Sequence, residues 1–209
     1  MEHPSFNRHV DELVARGETR NLHSVIALVH GEPIIEWYGS GLDFKWSESL
    51  GVVAFDRNTL HDIRSVTKSV VALLYGIALG QGQAPGPDEP LMRYFSQYPD
   101  LAGDPRLARL TVRHALTMTL GLDWNEDVPY TTLENSELAM ELAPDRYRYI
   151  LERPVVAEPG STWRYSGGAS ALLGYLIQQG TTKPVAGFAR EVLFGPLGID
   201  SFEWMAGPD

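Results

Sequence analysis

The sequence predicts an α+β protein, with an antiparallel hairpin near the front and a long, mostly helical body behind it. Three observations carry this. Two β-rich runs, Ser24–Val29 and Pro33–Tyr38, flank His30-Gly31-Glu32, and a glycine in so short a connection supplies the positive φ of a hairpin turn. Beyond residue 60, apolar residues recur at helical spacing in blocks that glycines close. After residue 150 no stretch reads as a strand.

The elements follow in order. Residues 5–16 read as an amphipathic helix, with Phe6, Val10, Leu13 and Val14 on one face. The hairpin comes next. Residues 40–60, rich in Gly, Asp and Ser, read as loop. LHDIRSVTKSVVALLYGIALGQG is a strongly apolar helix, with Ser65 near its start and Gly80 and Gly82 at its end. A short helix is expected at Leu91–Phe95. LTVRHALTMTLGLDW is expected as a helix capped by Thr111 and stopped at Gly121. Residues 122–135 are acidic and irregular, and short helices follow near 135–142 and 145–151. GGASALLGYLIQQG and KPVAGFAREVLFGPLG close the series as helices, the second with Pro184 near its start.

Two strands alone are marginal and leave open edges, so the hairpin should pair with further strands. The chain ends on FEWMAGPD without a closing strand. The missing strands are expected in sequence absent here or in a partner.

The 209 residues suit one domain. Apolar residues make up 44% and charged residues 21%, an ordinary balance for a folded protein. The net charge of −10 argues against nucleic acid and anionic membranes as partners. With no cysteine there is no disulfide framework, thiolate nucleophile or Cys-built metal site. The polar start has no leader character, and the apolar run Val70 to Leu79 is about half of the roughly twenty residues a bilayer span needs. A cytoplasmic location is expected.

Several chemistries lack their motifs. There is no G-x-x-x-x-G-K loop and no G-x-S-x-G elbow. His3, His9, His23, His30, His61 and His114 show no metal-ligand spacing, so neither metal nor cofactor is expected. His114, inside a predicted helix, is assigned to a backbone group. Asp123, Glu126 and Asp127 offer a carboxylate pair in principle, but they read more simply as a solvated acidic loop.

Ser65-Val66-Thr67-Lys68 is the segment that carries chemistry. Positions i and i+3 share one face of a helix, so the Ser65 hydroxyl and the Lys68 ammonium become neighbours. The apolar residues around them, Val66, Val70, Val71, Leu73 and Leu74, should bury that turn, and desolvation should lower the pKa of Lys68 until it can relay a proton. The helix N-terminus would help to stabilise an oxyanion at Ser65. A second element, EPGSTWRYSGGASALLGYLIQQ, sets Tyr165-Ser166-Gly167 in a turn between a Pro-Gly loop and an apolar helix. Such junctions present side chains into clefts, and a phenol beside a lysine is a candidate acid/base. A serine with a snorkelling lysine and a core tyrosine would explain each motif singly.

Taken together, S-x-x-K, LTVRHALTMTLGLDW, PGSTWRYSGGASALLGYLI and FAREVLFGPLGI, in that order, resemble the serine β-lactamase and penicillin-binding protein family. The similarity is strongest to its branch of class C β-lactamases, DD-carboxypeptidases, esterases and 6-aminohexanoate-dimer hydrolases. It runs from about residue 22 to 204 and makes 1–209 the N-terminal portion of one such domain. Residues 22–68 would hold the hairpin and the start of the nucleophile helix, and 69–209 the mostly helical lobe. The resemblance implies a β-lactamase/transpeptidase-like fold, an α/β sandwich lobe plus an all-helical lobe, with the active site between them. It also implies Ser65 as acyl-forming nucleophile, Lys68 as its activator, Tyr165 as acid/base, and the Ser65 amide as half of an oxyanion hole.

Two departures from the family pattern matter. Gly167 stands where the family's Y-x-N motif has asparagine, which disfavours β-lactam and peptidoglycan recognition. No strand carries the family's third motif. Gly167 and Trp124 are expected to contribute to substrate binding, Trp124 at the mouth of the cleft. The expected function is a cofactor-free serine hydrolase acting on a small amide or ester through an acyl-enzyme. A β-lactamase or DD-peptidase, and a catalytically silent binding module on the same fold, are the alternatives. A second copy of the chain is an open partner.

Overall fold

The structure, a computed structural model, describes residues 4–45 and 48–205. The end of FEWMAGPD, residues 206–209, lies outside the described residues. The chain divides into two compact units, one running to Arg64 and the other starting at Ser65.

The first unit opens with helix α1 (Pro4–Ala15), followed by strands β1 (Ser24–Val29) and β2 (Glu32–Tyr38). The strands pair antiparallel from Ser24↔Tyr38 to Val29↔Glu32. His30 and Gly31 between them both have positive φ, 52° and 82°, which matches the turn to the strand twist. The apolar face of α1 covers β2. Val10 and Trp37 are buried, and the Trp37 indole donates to Asp11 Oδ1 at 2.9 Å.

The stretch expected as loop is a second hairpin. Strands β3 (Ser40–Lys45) and β4 (Glu48–Ala54) pair antiparallel. The glycines and Asp43 suggest turns, but Leu42 and Phe44 alternate along one strand and Leu50 and Val52 along the other. The turn-forming Gly51 sits opposite Asp43, next to a register shift at Asp43/Phe44, where an irregular ladder tolerates it. Each hairpin is a separate two-stranded sheet, and Ile26, Leu28, Leu42 and Val52 stay exposed on them. All strands among the described residues fall within 24–54.

The second unit is helical. Helix α2 (Val66–Gly80) buries Val71, Leu74, Tyr75 and Ala78, an i, i+3, i+4, i+7 stripe. Helix α6 (Gly167–Thr181) supplies Leu172, Leu173, Leu176 and Ile177 to the same core. Each such aliphatic side chain is worth about 1.5–3 kcal/mol when fully buried, so this pair of helices anchors the unit. The Ser166 hydroxyl caps α6 by accepting from the Ala169 amide at 3.1 Å. Thr182, at φ 57°, ends it in a left-handed cap.

Between these lie 3-10 turns at Leu91–Tyr94 and Leu107–Arg109, then helices α3 (Val112–Leu116), α4 (Ser136–Leu142) and α5 (Arg146–Leu151). Helix α3 starts at the Thr111 cap as expected but stops before Gly121. Thr117 turns its hydroxyl onto Arg113 O at 2.8 Å, and Met118 takes φ 53°. His114 accepts from the Thr111 amide at 3.1 Å through Nδ1, the backbone role expected of it. Helix α7 (Val185–Ala189) continues into a π-helical turn at Arg190–Phe194. Among the described residues no helix is long and apolar enough to cross a membrane.

Candidate active site

Ser65 is the N-cap of α2, and its hydroxyl makes no capping bond to the helix. It accepts instead from Lys68 Nζ at 3.2 Å. The Lys68 amide donates back to Ser65 O at 3.0 Å, so one helical turn holds both side chains on one face, as the i, i+3 spacing predicts. The expected burial of that turn is not found. Ser65 is exposed and Val66 is 61% exposed, because the buried stripe of α2 begins at Val71.

The Lys68 side chain is the sheltered member, 14% exposed, and its partner is Glu137. Nζ lies 3.0 Å from Glu137 Oε1 and 5.0 Å from the centre of the Tyr165 ring. This reverses the expected direction of the Lys68 pKa. Burial pushes the ammonium down, but the Glu137 charge and hydrogen bond, with Tyr165 behind them, outweigh burial and hold it above the usual lysine value. The pairing with Glu137 favours the charged form of Lys68. For Glu137, burial and the neighbouring Glu126 charge push the carboxyl up, and Lys68 opposes them without cancelling them.

Glu137 is held by its own segment. It lies in the first turn of α4, where Asn135 Oδ1 accepts from the amides of Glu137 and Leu138, each at 3.1 Å. Asn125 and Ser136 lock that turn reciprocally: the Asn125 amide donates to Ser136 Oγ at 2.9 Å and the Ser136 amide to Asn125 O at 2.7 Å.

Tyr165 sits at the end of a loop pinned to the segment after α3. The Gly160 amide donates to Thr119 O, the Arg164 amide to Met118 O, and the Arg164 guanidinium to Trp124 O. Gly167, expected at the substrate, is buried. Its amide donates to Glu126 Oε1 at 2.5 Å. A Cβ built on it would fall 2.1 Å from Glu137 Oε1, so the carboxylate of Glu137 fills the space of the missing side chain.

Trp124 is not at a cleft mouth. It is 2% exposed, stands edge-on to Tyr149 at 6.3 Å, and donates its indole N–H to Glu126 Oε1 at 2.6 Å. The flat ring fits because Gly168 has no side chain there. Glu126 is likewise not simply solvated, since it also accepts the Tyr130 hydroxyl at 2.8 Å. The structure thus brings Ser65, Lys68 and Tyr165 together, assigns Trp124 to the core, adds Glu137 and Tyr130, which the sequence motifs do not mark, and gives Glu126 a hydrogen-bonding role in place of the solvated one expected of it.

A family model described as Beta-lactamase matches residues 6–208. The chain belongs to the beta-lactamase family. No curated protein matches it. Among solved structures it is similar to D-amino acid amidase from Ochrobactrum anthropi, determined with L-phenylalanine amide. Identity is 25% and the TM-score 0.65, over 93% of this chain and 50% of that one. It is also similar to EstCE1, a hydrolase with promiscuous acyltransferase activity, at 23% identity and TM-score 0.66, over 90% and 49%. A class C beta lactamase gives 20% and 0.65, over 93% and 48%. The chain spans about half the length of these structures.

Among the described residues of this beta-lactamase-family chain, a separate cluster has ligand-type side chains. In the first unit the ligand atoms of His23, Asp43 and His61 lie within 4.8 Å of one another. The two imidazoles are stacked 15° from parallel at 5.1 Å, with Phe55 against both. These rings form an aromatic stack. On the second unit a concavity of about 270 Å³ opens beside Arg106, Arg109 and residues 155–159. It lacks a nucleophile, and Arg109 there is paired with Glu158.

Proposed function

We propose that the chain is the Ser65-bearing part of a serine hydrolase that cleaves a small amide or ester through an acyl-enzyme. The observation that carries this reading is the contact of Lys68 Nζ with Ser65 Oγ at 3.2 Å, beside Tyr165. A hydroxyl released from helix capping, touching a sheltered cation at a helix N-terminus, is an activated nucleophile in form.

In the proposed reaction Ser65 Oγ attacks the carbonyl carbon, and its proton is relayed through the Tyr165 hydroxyl, which takes it while giving its own proton to the leaving group as the C–N or C–O bond breaks. Water then attacks the acyl-enzyme, and its proton is relayed through the same hydroxyl to Ser65 Oγ, which leaves as the free serine. Lys68, held as a cation, stabilises the negative charge that develops at Ser65 Oγ. The relay belongs to the Tyr165 hydroxyl, whose oxygen can accept one proton while giving up its own, whereas the Lys68 ammonium has no free lone pair. The 25% identity to a D-amino acid amidase supports amino acid amides as the first substrates to screen. With glycine at 167 there is no amide side chain to hold a β-lactam carbonyl.

The test is intact mass after treatment with a fluorophosphonate. One adduct on the wild-type chain and none on Ser65→Ala supports the reading. A wild-type protein that stays unmodified both as this chain and in any longer product that contains it refutes the reading in favour of a silent binding module, and turnover of nitrocefin would favour a β-lactamase.

A further inference from the structure

We propose that Glu137 is a positioning residue of the Ser65 centre. Its carboxylate occupies the place of the absent side chain at 167 and fixes the Lys68 ammonium on Ser65 Oγ. This rests on the reading of Ser65 as nucleophile.

Two independent features of the geometry meet at one oxygen. Glu137 Oε1 takes the Lys68 ammonium at 3.0 Å. The same oxygen, with Cδ and Cγ behind it, would lie 2.1, 2.6 and 2.9 Å from a Cβ on Gly167. Even the smallest side chain at 167 would expel the carboxylate, so glycine there is a condition of the ion pair. The pair is 14% and 23% exposed, and an ion pair so sheltered adds little net stability after desolvation. Its effect is on geometry and charge: of the three donors of an ammonium, one is committed to Glu137 and one points at Ser65 Oγ.

The groups facing Lys68 are Ser65 on its own helix, Glu137 from α4 and Tyr165 from the loop before α6. Those facing Glu137 are Lys68, Glu126 and Tyr130. Glu137 is the carboxylate that contacts Lys68, so removing its charge should let Lys68 lose its proton at lower pH.

The experiment uses the full chain, whose three lysines are Lys45, Lys68 and Lys183. Lys68 Cε is followed by ¹³C NMR titration, and fluorophosphonate labelling of Ser65 is timed across pH. In Glu137→Gln, which keeps the volume, the Lys68 titration should move to lower pH. Labelling should slow about tenfold or more, as expected for a misplaced catalytic group, with its alkaline limb moving the same way. Gly167→Ala should reproduce the slowing, and Glu137→Gln/Gly167→Ala should be no slower than either single variant. Gly167→Ala also serves if Glu137→Gln folds poorly. An unchanged Lys68 titration in Glu137→Gln, or additive losses in the double variant, overturns the proposal. A wild-type protein never labelled, either as this chain or in a longer product that contains it, refutes the hydrolase reading instead, while the titration still decides the pairing.

Discussion

The Gly167 amide donates to Glu126 Oε1 at 2.5 Å, and the Trp124 indole donates to the same oxygen at 2.6 Å. One carboxylate thus joins the N-terminus of α6 to a core aromatic, while Oε2 accepts the Tyr130 hydroxyl. Hydrogen bonds to a charged group are worth roughly 1.5–3 kcal/mol each. Glu126→Gln keeps one acceptor oxygen and loses the charge, so it should destabilise the chain by about 2 kcal/mol. A urea midpoint unchanged at constant slope would refute this. The same variant should lower the Glu137 carboxyl pKa, because the Glu126 charge helps to hold it up.

Asn135 is fully buried and caps α4 with both 3.1 Å contacts, while its amide donates to Val128 O at 2.9 Å. Asn135→Ala removes the cap and takes the donor away from the part-buried Val128 carbonyl. A cost of about 1–2 kcal/mol is expected. Because the loosened turn carries Glu137, Ser65 labelling should slow as well. Thermal melting and the labelling rate read the two effects separately, and a stability loss with unchanged labelling would show that the cap does not govern the site.

These dependencies explain which features were legible in the sequence. Val71, Leu74, Tyr75 and Ala78 repeat at helical spacing, and His30-Gly31 is a local turn signal, so α2 and the first hairpin follow from neighbours in sequence. Ser65 and Lys68 sit one turn apart and are legible for the same reason. The β3–β4 hairpin was hidden because Gly41, Asp43 and Gly51 outweighed a short alternation. Glu137 was hidden because it lies 69 residues from Lys68, and only tertiary packing joins them. The shelter of Lys68 was legible in the apolar residues around it, but the carboxylate that pairs with it was not. Trp124 misled because an aromatic among acidic residues reads as surface, whereas its burial depends on Gly168 and Tyr149.

Gly121 has φ +74°, and a Cβ there would meet Ala157 O at 2.3 Å. Its own carbonyl accepts from the Val156 and Ala157 amides. Gly121→Ala meets a backbone conformation unfavourable for alanine by about 1–2 kcal/mol and a backbone clash. It should therefore lower the melting temperature more than an alanine placed at exposed Gly103. Equal melting temperatures for the two would refute the close approach.

Tyr75 is 1% exposed and donates to Pro85 O at 2.5 Å. Burial, then the charges of Tyr94 and Glu89, push its hydroxyl from 10.0 up to about 12. In the unfolded chain the phenol ionises near its ordinary value of about 10. Between these values the unfolded state holds fewer protons than the folded one, so stability falls as pH rises. The contribution is whole below pH 10 and lost on passing about 12. Within that window one proton corresponds to about 1.4 kcal/mol per pH unit. Tyr94, Tyr98 and Tyr130 are raised too, so the chain as a whole should weaken in alkali. Tyr75→Phe removes one titrating group from that sum. Its urea midpoint should therefore fall less steeply than the wild type's between pH 10 and 11, although it starts lower at pH 8 for want of the bond to Pro85. Parallel curves would mean that the Tyr75 hydroxyl ionises alike in the folded and unfolded chain.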